Sequence, residues 1–159
     1  MPMGINKMLK FVDYDIVFQE VPDEVSLAIN LSCCPNSCPG CHSPQLQGDI
    51  GEILDKNIIG ELIEKYGSSI TCVAFMGGDN DPQSIESLAN YVKKKFSLKT
   101  AWYSGCVNIP QCRTSFDYIK IGPYVESLGA LRSKTTNQRF YKVLCSSCLE
   151  DITSFFQKK

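Results

Sequence analysis

Between residues 32 and 47 the chain carries four cysteines, Cys33, Cys34, Cys38 and Cys41, and three prolines, Pro35, Pro39 and Pro44. Proline fixes φ and lacks an N–H, so neither a helix nor a central strand runs through such a stretch. The segment is a loop. It follows directly on residues 25–31, where Val25, Leu27, Ile29 and Leu31 alternate with smaller or polar neighbours in the pattern of a strand. The fold must therefore hold a thiol-rich loop at a strand end, and the remaining chain has to be built around that requirement.

Residues 15–21, rich in Ile, Val and Phe, read as a preceding strand, with Pro22, Asp23 and Glu24 as the turn between the two. Ile58, Ile59, Leu62, Ile63 and Tyr66 recur at helical spacing, with Asp55 as N-cap and Gly67 as the stop. Residues 70–76 then form a buried strand. Asp81 and Pro82 open a second helix, whose inner face is Ile85, Leu88, Ala89, Val92 and Phe96, and Lys93, Lys94 and Lys95 suit its last turn through the helix dipole. Residues 99–103, 118–121 and 139–144 read as further strands. Strands alternating with helices predict an α/β chain with a mostly parallel sheet. A strand–helix unit takes about 30 residues, so 159 residues accommodate part of an eight-unit barrel and leave one side open.

The length suits one domain, 1–159. Sixteen basic and 17 acidic residues nearly cancel, so the net charge of −1 shows no electrostatic footprint for nucleic acid or for an anionic membrane. No apolar run reaches membrane-spanning length, and residues 1–11 do not read as a secretory signal. A cytoplasmic protein is expected, and in that reducing compartment nine cysteines are better explained by metal binding or chemistry than by disulfides.

Cys34, Cys38 and Cys41 stand with a three-residue and then a two-residue gap on one loop. Short gaps let one turn aim three thiolates at a common centre, while Gly40 and the prolines shape a backbone whose amides can point at sulfur. A four-iron cluster has four corners, so three thiolates leave one iron for a chelating ligand. The alternative is a tetrahedral zinc site of Cys34, Cys38, Cys41 and His42 in a non-catalytic interaction module, although adjacent residues such as Cys41 and His42 point in different directions. Cys33 lies one residue outside the spacing and reads as a small buried side chain. Cys72, within a buried strand, reads as core.

The spacing resembles the Cys-x3-Cys-x2-Cys motif of the radical S-adenosylmethionine superfamily. Within it, Cys38-Pro39-Gly40-Cys41 on a short chain is similar to the activating proteins of anaerobic ribonucleoside-triphosphate reductases. Gly77-Gly78-Asp79, Trp102-Tyr103-Ser104-Gly105, Gly122-Pro123-Tyr124 and Thr136-Asn137-Gln138-Arg139 sit where such proteins carry similar stretches. The resemblance implies a single radical S-adenosylmethionine domain with a partial, open β/α barrel. It has an N-terminal strand region at 1–24, a cluster loop at 33–47 and a C-terminal extension at 140–159. It further implies a [4Fe-4S] cluster on Cys34, Cys38 and Cys41, a glycyl radical made on the anaerobic reductase as protein substrate, and a flavodoxin-like electron donor.

For the cofactor, two glycines after a buried strand let a ligand approach the backbone, and Asp79 adds a negative charge. By resemblance, Gly77, Gly78 and Asp79 bind the methionyl amino group of S-adenosylmethionine, at a position where the family usually has Glu. Gly40, Cys41 and His42 correspond to the stretch contacting the adenosyl part, Ser104 lies near the ribose, and Gly122 and Pro123 shape the floor beneath the adenine. Ser104 also reads simply as a turn serine. With one His and no carboxylate pair, general acid–base hydrolysis has few candidates. A small open barrel favours a macromolecular substrate. Another glycyl-radical protein, or a small molecule, is the alternative substrate. Cys106, Cys112, Cys145 and Cys148 remain, and a second site holding zinc or an auxiliary cluster is one reading of them, reduced thiols the other.

Overall fold

The structure is a computed structural model that describes residues 9–32, 51–110, 113–145 and 148–157. Among these, the elements run β1 (Lys10–Val17), β2 (Ser26–Leu31), β3 (Glu52–Ile53), α1 (Lys56–Tyr66), β4 (Cys72–Met76), α2 (Pro82–Phe96), β5 (Lys99–Tyr103), β6 (Tyr118–Ile121), β7 (Arg139–Cys145) and β8 (Cys148–Asp151). Short 3-10 turns occupy Gly67–Ser69, Arg113–Ser115 and Thr153–Gln157. The strands make one sheet in the order β3-β1-β2-β4-β5-β6-β7-β8.

Connection chemistry decides strand direction. β2, β4, β5 and β6 are joined by long crossovers and pair parallel in sequence order. β1 joins β2 through a short link and pairs with it antiparallel, as β7 does with β8, because a short link cannot carry the chain back to the same end. The β1/β3 and β6/β7 pairs are also antiparallel. The expectation of a mostly parallel sheet is thereby corrected: three of the seven pairings are parallel, confined to the central strands, and four are antiparallel.

Both helices begin and end as their sequences require. The Asp55 side chain accepts from the Ile58 N–H at 2.9 Å, and the Gly67 N–H returns to the Ile63 carbonyl. Asp81 accepts from the Ser84 N–H at 3.3 Å with Pro82 in the first turn, and α2 stops where Ser97 turns left-handed and donates to the Lys93 carbonyl. Ile59, Leu62 and Ile63 of α1 and Ile85, Leu88, Ala89 and Val92 of α2 pack with Leu27, Ile29, Leu31, Val73, Phe75, Trp102, Ile119 and Ile121 on one face of the sheet. The opposite face, built on small residues such as Ala28, Cys72, Ala74 and Ala101, is closed instead by Val21, Leu131, Phe140 and Ile152.

That second cover explains two departures from expectation. β2 does not alternate between core and solvent; Ser26, Leu27, Ala28 and Ile29 are all buried, as in a central strand covered on both sides. The first strand is Lys10–Val17 rather than 15–21, because pairing with β2 and β3 draws Lys10 and Phe11 into the sheet, while residues 18–21 leave it and fold Val21 into the second core. Among the described residues, no helix is long and apolar enough to cross a membrane.

At the amino ends of the parallel strands lies a buried carboxylate. Glu24, 6% exposed, accepts from Thr71 Oγ1 at 2.7 Å, Lys99 Nζ at 2.9 Å and Tyr118 Oη at 2.9 Å. Burial alone raises its carboxyl, but the hydrogen bonds from Lys99, Thr71 and Tyr118 outweigh that cost and hold it below the usual range. The three donors come from the starts of β4, β5 and β6, so one side chain ties the entry points of three strands together.

Candidate functional site

The opposite, carboxyl ends of β2, β4, β5 and β6 lie side by side, and there the unusual residues gather. β2 ends at Leu31, and Ser32 leads into the loop that holds Cys33, Cys34, Cys38, Gly40, Cys41 and His42; all six lie outside the described residues. Next to it, β4 ends at Met76 and passes into Gly77 and Gly78, both at positive φ (104° and 88°). Left-handed backbone excludes most side chains. At Gly78 space excludes them as well, since a Cβ would fall 2.6 Å from Ile85 Cδ1 and 2.9 Å from Leu31 Cδ1. The glycine pair thus lets the chain turn tightly over the core directly beside the end of β2.

The turn is anchored on both sides. The Gly77 N–H donates to the Tyr103 carbonyl at 3.0 Å, and its own carbonyl accepts from Trp102 Nε1 at 2.7 Å. The Gly77 carbonyl is therefore already engaged by an indole that is 2% exposed. Two residues on, the Asp79 carboxylate accepts from Ser104 Oγ at 2.6 Å and from the Gly105 N–H at 2.8 Å. Ser104 Oγ in turn accepts from the Cys106 N–H at 3.1 Å.

Sequence spacing separates Asp79 from Ser104 by a whole helix and strand; parallel pairing of β4 with β5 brings them together, because Met76 and Tyr103 are register partners. Ser104 is 1% exposed and its hydroxyl proton goes to Asp79. It holds the carboxylate in place. A carboxylate held in this way places a fixed negative charge at the strand end, which attracts a cation. In the next residue, Asn80 Oδ1 is buried with no donor among the described residues. A buried acceptor in this state suits a ligand carrying N–H donors, such as an ammonium group.

Lys120 and Asn30, which the sequence reading did not single out, join residues of the quoted motifs around this strand end. The register places Asn30, Met76, Tyr103 and Lys120 in one row across β2, β4, β5 and β6, all on the face opposite α1 and α2. Lys120 Nζ donates to the Gly122 carbonyl at 2.9 Å and the Ser104 carbonyl at 3.4 Å and lies over the Tyr103 ring at 6.0 Å. The available signal was a single lysine inside the short apolar strand Tyr118–Ile121. Tyr103 donates from its hydroxyl to the Glu20 carbonyl, and burial, then the Glu20 charge, pushes its ionisation far above the usual tyrosine range. Gln138 Nε2 also reaches the Gly122 carbonyl, at 3.4 Å, and Asn137 Nδ2 reaches that of Pro123 at 3.1 Å. The stretch Thr136 to Gln138 therefore pins the Gly122-Pro123 turn from behind.

The remaining cysteines divide between the two ends of the sheet. The Cys106 carbonyl accepts from the Gly122 N–H at 2.7 Å, next to the site. Cys145 lies three residues past Lys142, the partner of Tyr118 at the far end of β6, and faces Cys148 across the β7/β8 pair. Seven residues of strand rise separate the two ends by roughly 20 Å. A second centre built from Cys106, Cys112, Cys145 and Cys148 together is thus corrected, because strand direction sends Cys106 and the other pair to opposite ends; Cys112 lies outside the described residues. Among the described residues no group of three or more His, Cys, Asp or Glu side chains is placed to hold a metal. Cys72 is fully buried, and burial pushes its thiol up to about 12.

The donor set of the loop, three thiolates at short spacing, suits an iron–sulfur cluster, and Leu31, the last residue of β2, packs at Gly78. Neither the curated proteins nor the solved structures contain a match to the chain. Residues 25–128 match the family described as "4Fe-4S single cluster domain", a span that begins before β2 and takes in the cysteine loop, the Gly77-Gly78-Asp79 turn, Ser104 and the Gly122-Pro123 turn. The chain belongs to the 4Fe-4S single cluster domain family, and a [4Fe-4S] cluster is its cofactor.

Proposed function

We propose that the chain is a cytoplasmic radical S-adenosylmethionine enzyme that cleaves its cofactor reductively and generates a glycyl radical on an anaerobic ribonucleoside-triphosphate reductase, drawing electrons from a flavodoxin-like donor. The observation that carries this reading is the Asp79 carboxylate, fixed by Ser104 and Gly105 at the end of the strand adjacent to the one that enters the cysteine loop.

In this reading Cys34, Cys38 and Cys41 hold the cluster and leave one iron for the amino and carboxylate groups of S-adenosylmethionine. When bound, cluster and cofactor together supply one-electron reduction of a sulfonium and a carbon radical able to abstract hydrogen. The protein's own residues bind and orient. Asp79 attracts the methionyl ammonium, the buried Oδ1 of Asn80 offers a further acceptor, and Gly77 and Gly78 bring no side chain into the approach. Ser104 is a positioning residue for Asp79. Gly40, Cys41 and His42 contact the adenosyl part, and Lys120 and Gln138 hold the Gly122-Pro123 turn as its floor.

The sequential order β2-β4-β5-β6, with both helices on one face, supports a singly wound, partial β/α barrel whose helix-free face is the interior.

The test uses full-length protein reconstituted and kept air-free, with a strong reductant and a reductase carrying deuterium on glycine. Deuterium should appear in 5′-deoxyadenosine only with that reductase present. Cofactor cleavage indifferent to the reductase refutes the substrate, and an intact sulfonium refutes the radical chemistry. Asp79→Ala should keep its iron while losing S-adenosylmethionine in equilibrium dialysis.

A further inference from the structure

The hairpin of β7 and β8 ends the sheet farthest from the cysteine loop, and nothing in the proposed reaction uses it. Its register runs Tyr141 opposite Asp151, Lys142 opposite Glu150 and Val143 opposite Leu149. Continued without interruption, that register would set Leu144 against Cys148. It is interrupted: the pairing shifts between Val143 and Cys145, Leu144 becomes the extra residue, 59% exposed, and Cys145 comes directly opposite Cys148. Bulges of this kind re-aim side chains at the cost of a ladder hydrogen bond.

Directly opposed antiparallel residues have Cα atoms roughly 4.5–5.5 Å apart, inside the roughly 4.4–6.8 Å range that a disulfide spans. Both cysteines are exposed thiols on the outermost pair of strands. The same spacing could serve a metal, but two thiolates fill half a tetrahedron, and among the described residues no third ligand joins them. A disulfide needs only the pair.

We propose that Cys145 and Cys148 form a thiol–disulfide exchange site, which closes reversibly to an intrachain disulfide on meeting the disulfide of another molecule. One cysteine thiolate attacks a sulfur of the incoming disulfide, the incoming S–S bond breaks, one thiol leaves and a mixed disulfide remains. The second cysteine attacks the protein-side sulfur, forms the Cys145–Cys148 bond and expels the second thiol. The two cysteines lose two electrons, the incoming disulfide gains them, and the two thiol protons leave on the two released thiols. The incoming species is either a small disulfide or a protein disulfide, and exposure of the outermost hairpin admits both.

The test exposes air-free, full-length protein to oxidised glutathione in one arm and to an oxidised thioredoxin in the other, then alkylates and maps the cysteines by mass spectrometry. Cys145 and Cys148 should lose alkylation together and appear joined in one cross-linked peptide, whereas Cys106, exposed and at the other end of the sheet, should stop at a mixed adduct or stay alkylatable. Cross-linking in one arm alone supports the site and names its source. In Cys148→Ser the adduct should persist on Cys145, and in Cys145→Ser on Cys148. Separate stable adducts on both cysteines of the unaltered chain, or a bound metal that must be chelated before either will alkylate, would overturn the proposal. The readout concerns these thiols alone and is independent of cofactor cleavage.

Discussion

Gly78→Ala tests whether the turn beside β2 is set by packing. Two costs are visible. The backbone at φ 88° is left-handed, which for a residue with a side chain costs roughly 1–3 kcal/mol. The new Cβ would stand 2.6 Å from Ile85 Cδ1 and 2.9 Å from Leu31 Cδ1, and forcing a methyl into a filled core costs roughly 1–3 kcal/mol more. Together they destabilise by roughly 2–5 kcal/mol, a large share of an ordinary domain's stability. Gly77→Ala supplies the control: φ is 104°, but the nearest atom to its Cβ would be the Leu31 carbonyl oxygen at an ordinary 3.4 Å, so only the roughly 1–3 kcal/mol backbone cost applies. Urea titration followed by far-UV circular dichroism and by the emission of Trp102, the sole tryptophan, compares them. Ile85→Val removes the Cδ1 in the way, so the double variant with Gly78→Ala should lose less than the two single losses added. A Gly78→Ala variant within about 0.5 kcal/mol of the parent, or strict additivity with Ile85→Val, would refute the steric reasoning.

Further outcomes follow from the same geometry. Glu24→Gln keeps the shape of the buried carboxylate and removes its charge; because Lys99 is half exposed, the loss is held to roughly 1–2 kcal/mol. The folded carboxyl lies below its usual range, so its contribution is complete above the unfolded glutamate value and fades as pH falls through the lower folded one. Urea midpoints should therefore show a constant deficit between about pH 8 and pH 5.5 that shrinks only in stronger acid, and a deficit already shrinking near neutrality would contradict the assignment. Cys72, with its thiol pushed up to about 12, should resist iodoacetamide in the native protein at mildly alkaline pH while Cys106, Cys145 and Cys148 react; mapping of alkylated peptides reads this, and prompt modification of Cys72 would count against its burial. Single Ser substitutions of Cys34, Cys38 or Cys41 should each lower anaerobically measured iron and sulfide, whereas Cys33→Ser should leave both near the parent value.

The amino-acid sequence alone determined what is local. The Cys34, Cys38 and Cys41 spacing, the caps at Asp55 and Asp81, the stop at Gly67 and the glycine pair before Asp79 are readable because each depends on residues within a few positions of one another. It also indicated the parallel β2/β4 and β4/β5 pairs, since a crossover helix leaves a periodic signature. Tertiary structure decided what depends on register and direction. That Asp79 meets Ser104, that Trp102 takes the Gly77 carbonyl, and that Thr71, Lys99 and Tyr118 converge on Glu24 all follow from pairings between residues far apart in the chain. The same holds for the scattered cysteines Cys106, Cys145 and Cys148: antiparallel return of β7 carried Cys145 away from Cys106, and a one-residue bulge at Leu144 set it against Cys148. Short-range rules act through backbone dihedrals and hydrogen bonds a few residues apart, while long-range placement is chosen by which faces of the sheet bury together, a property of the whole chain.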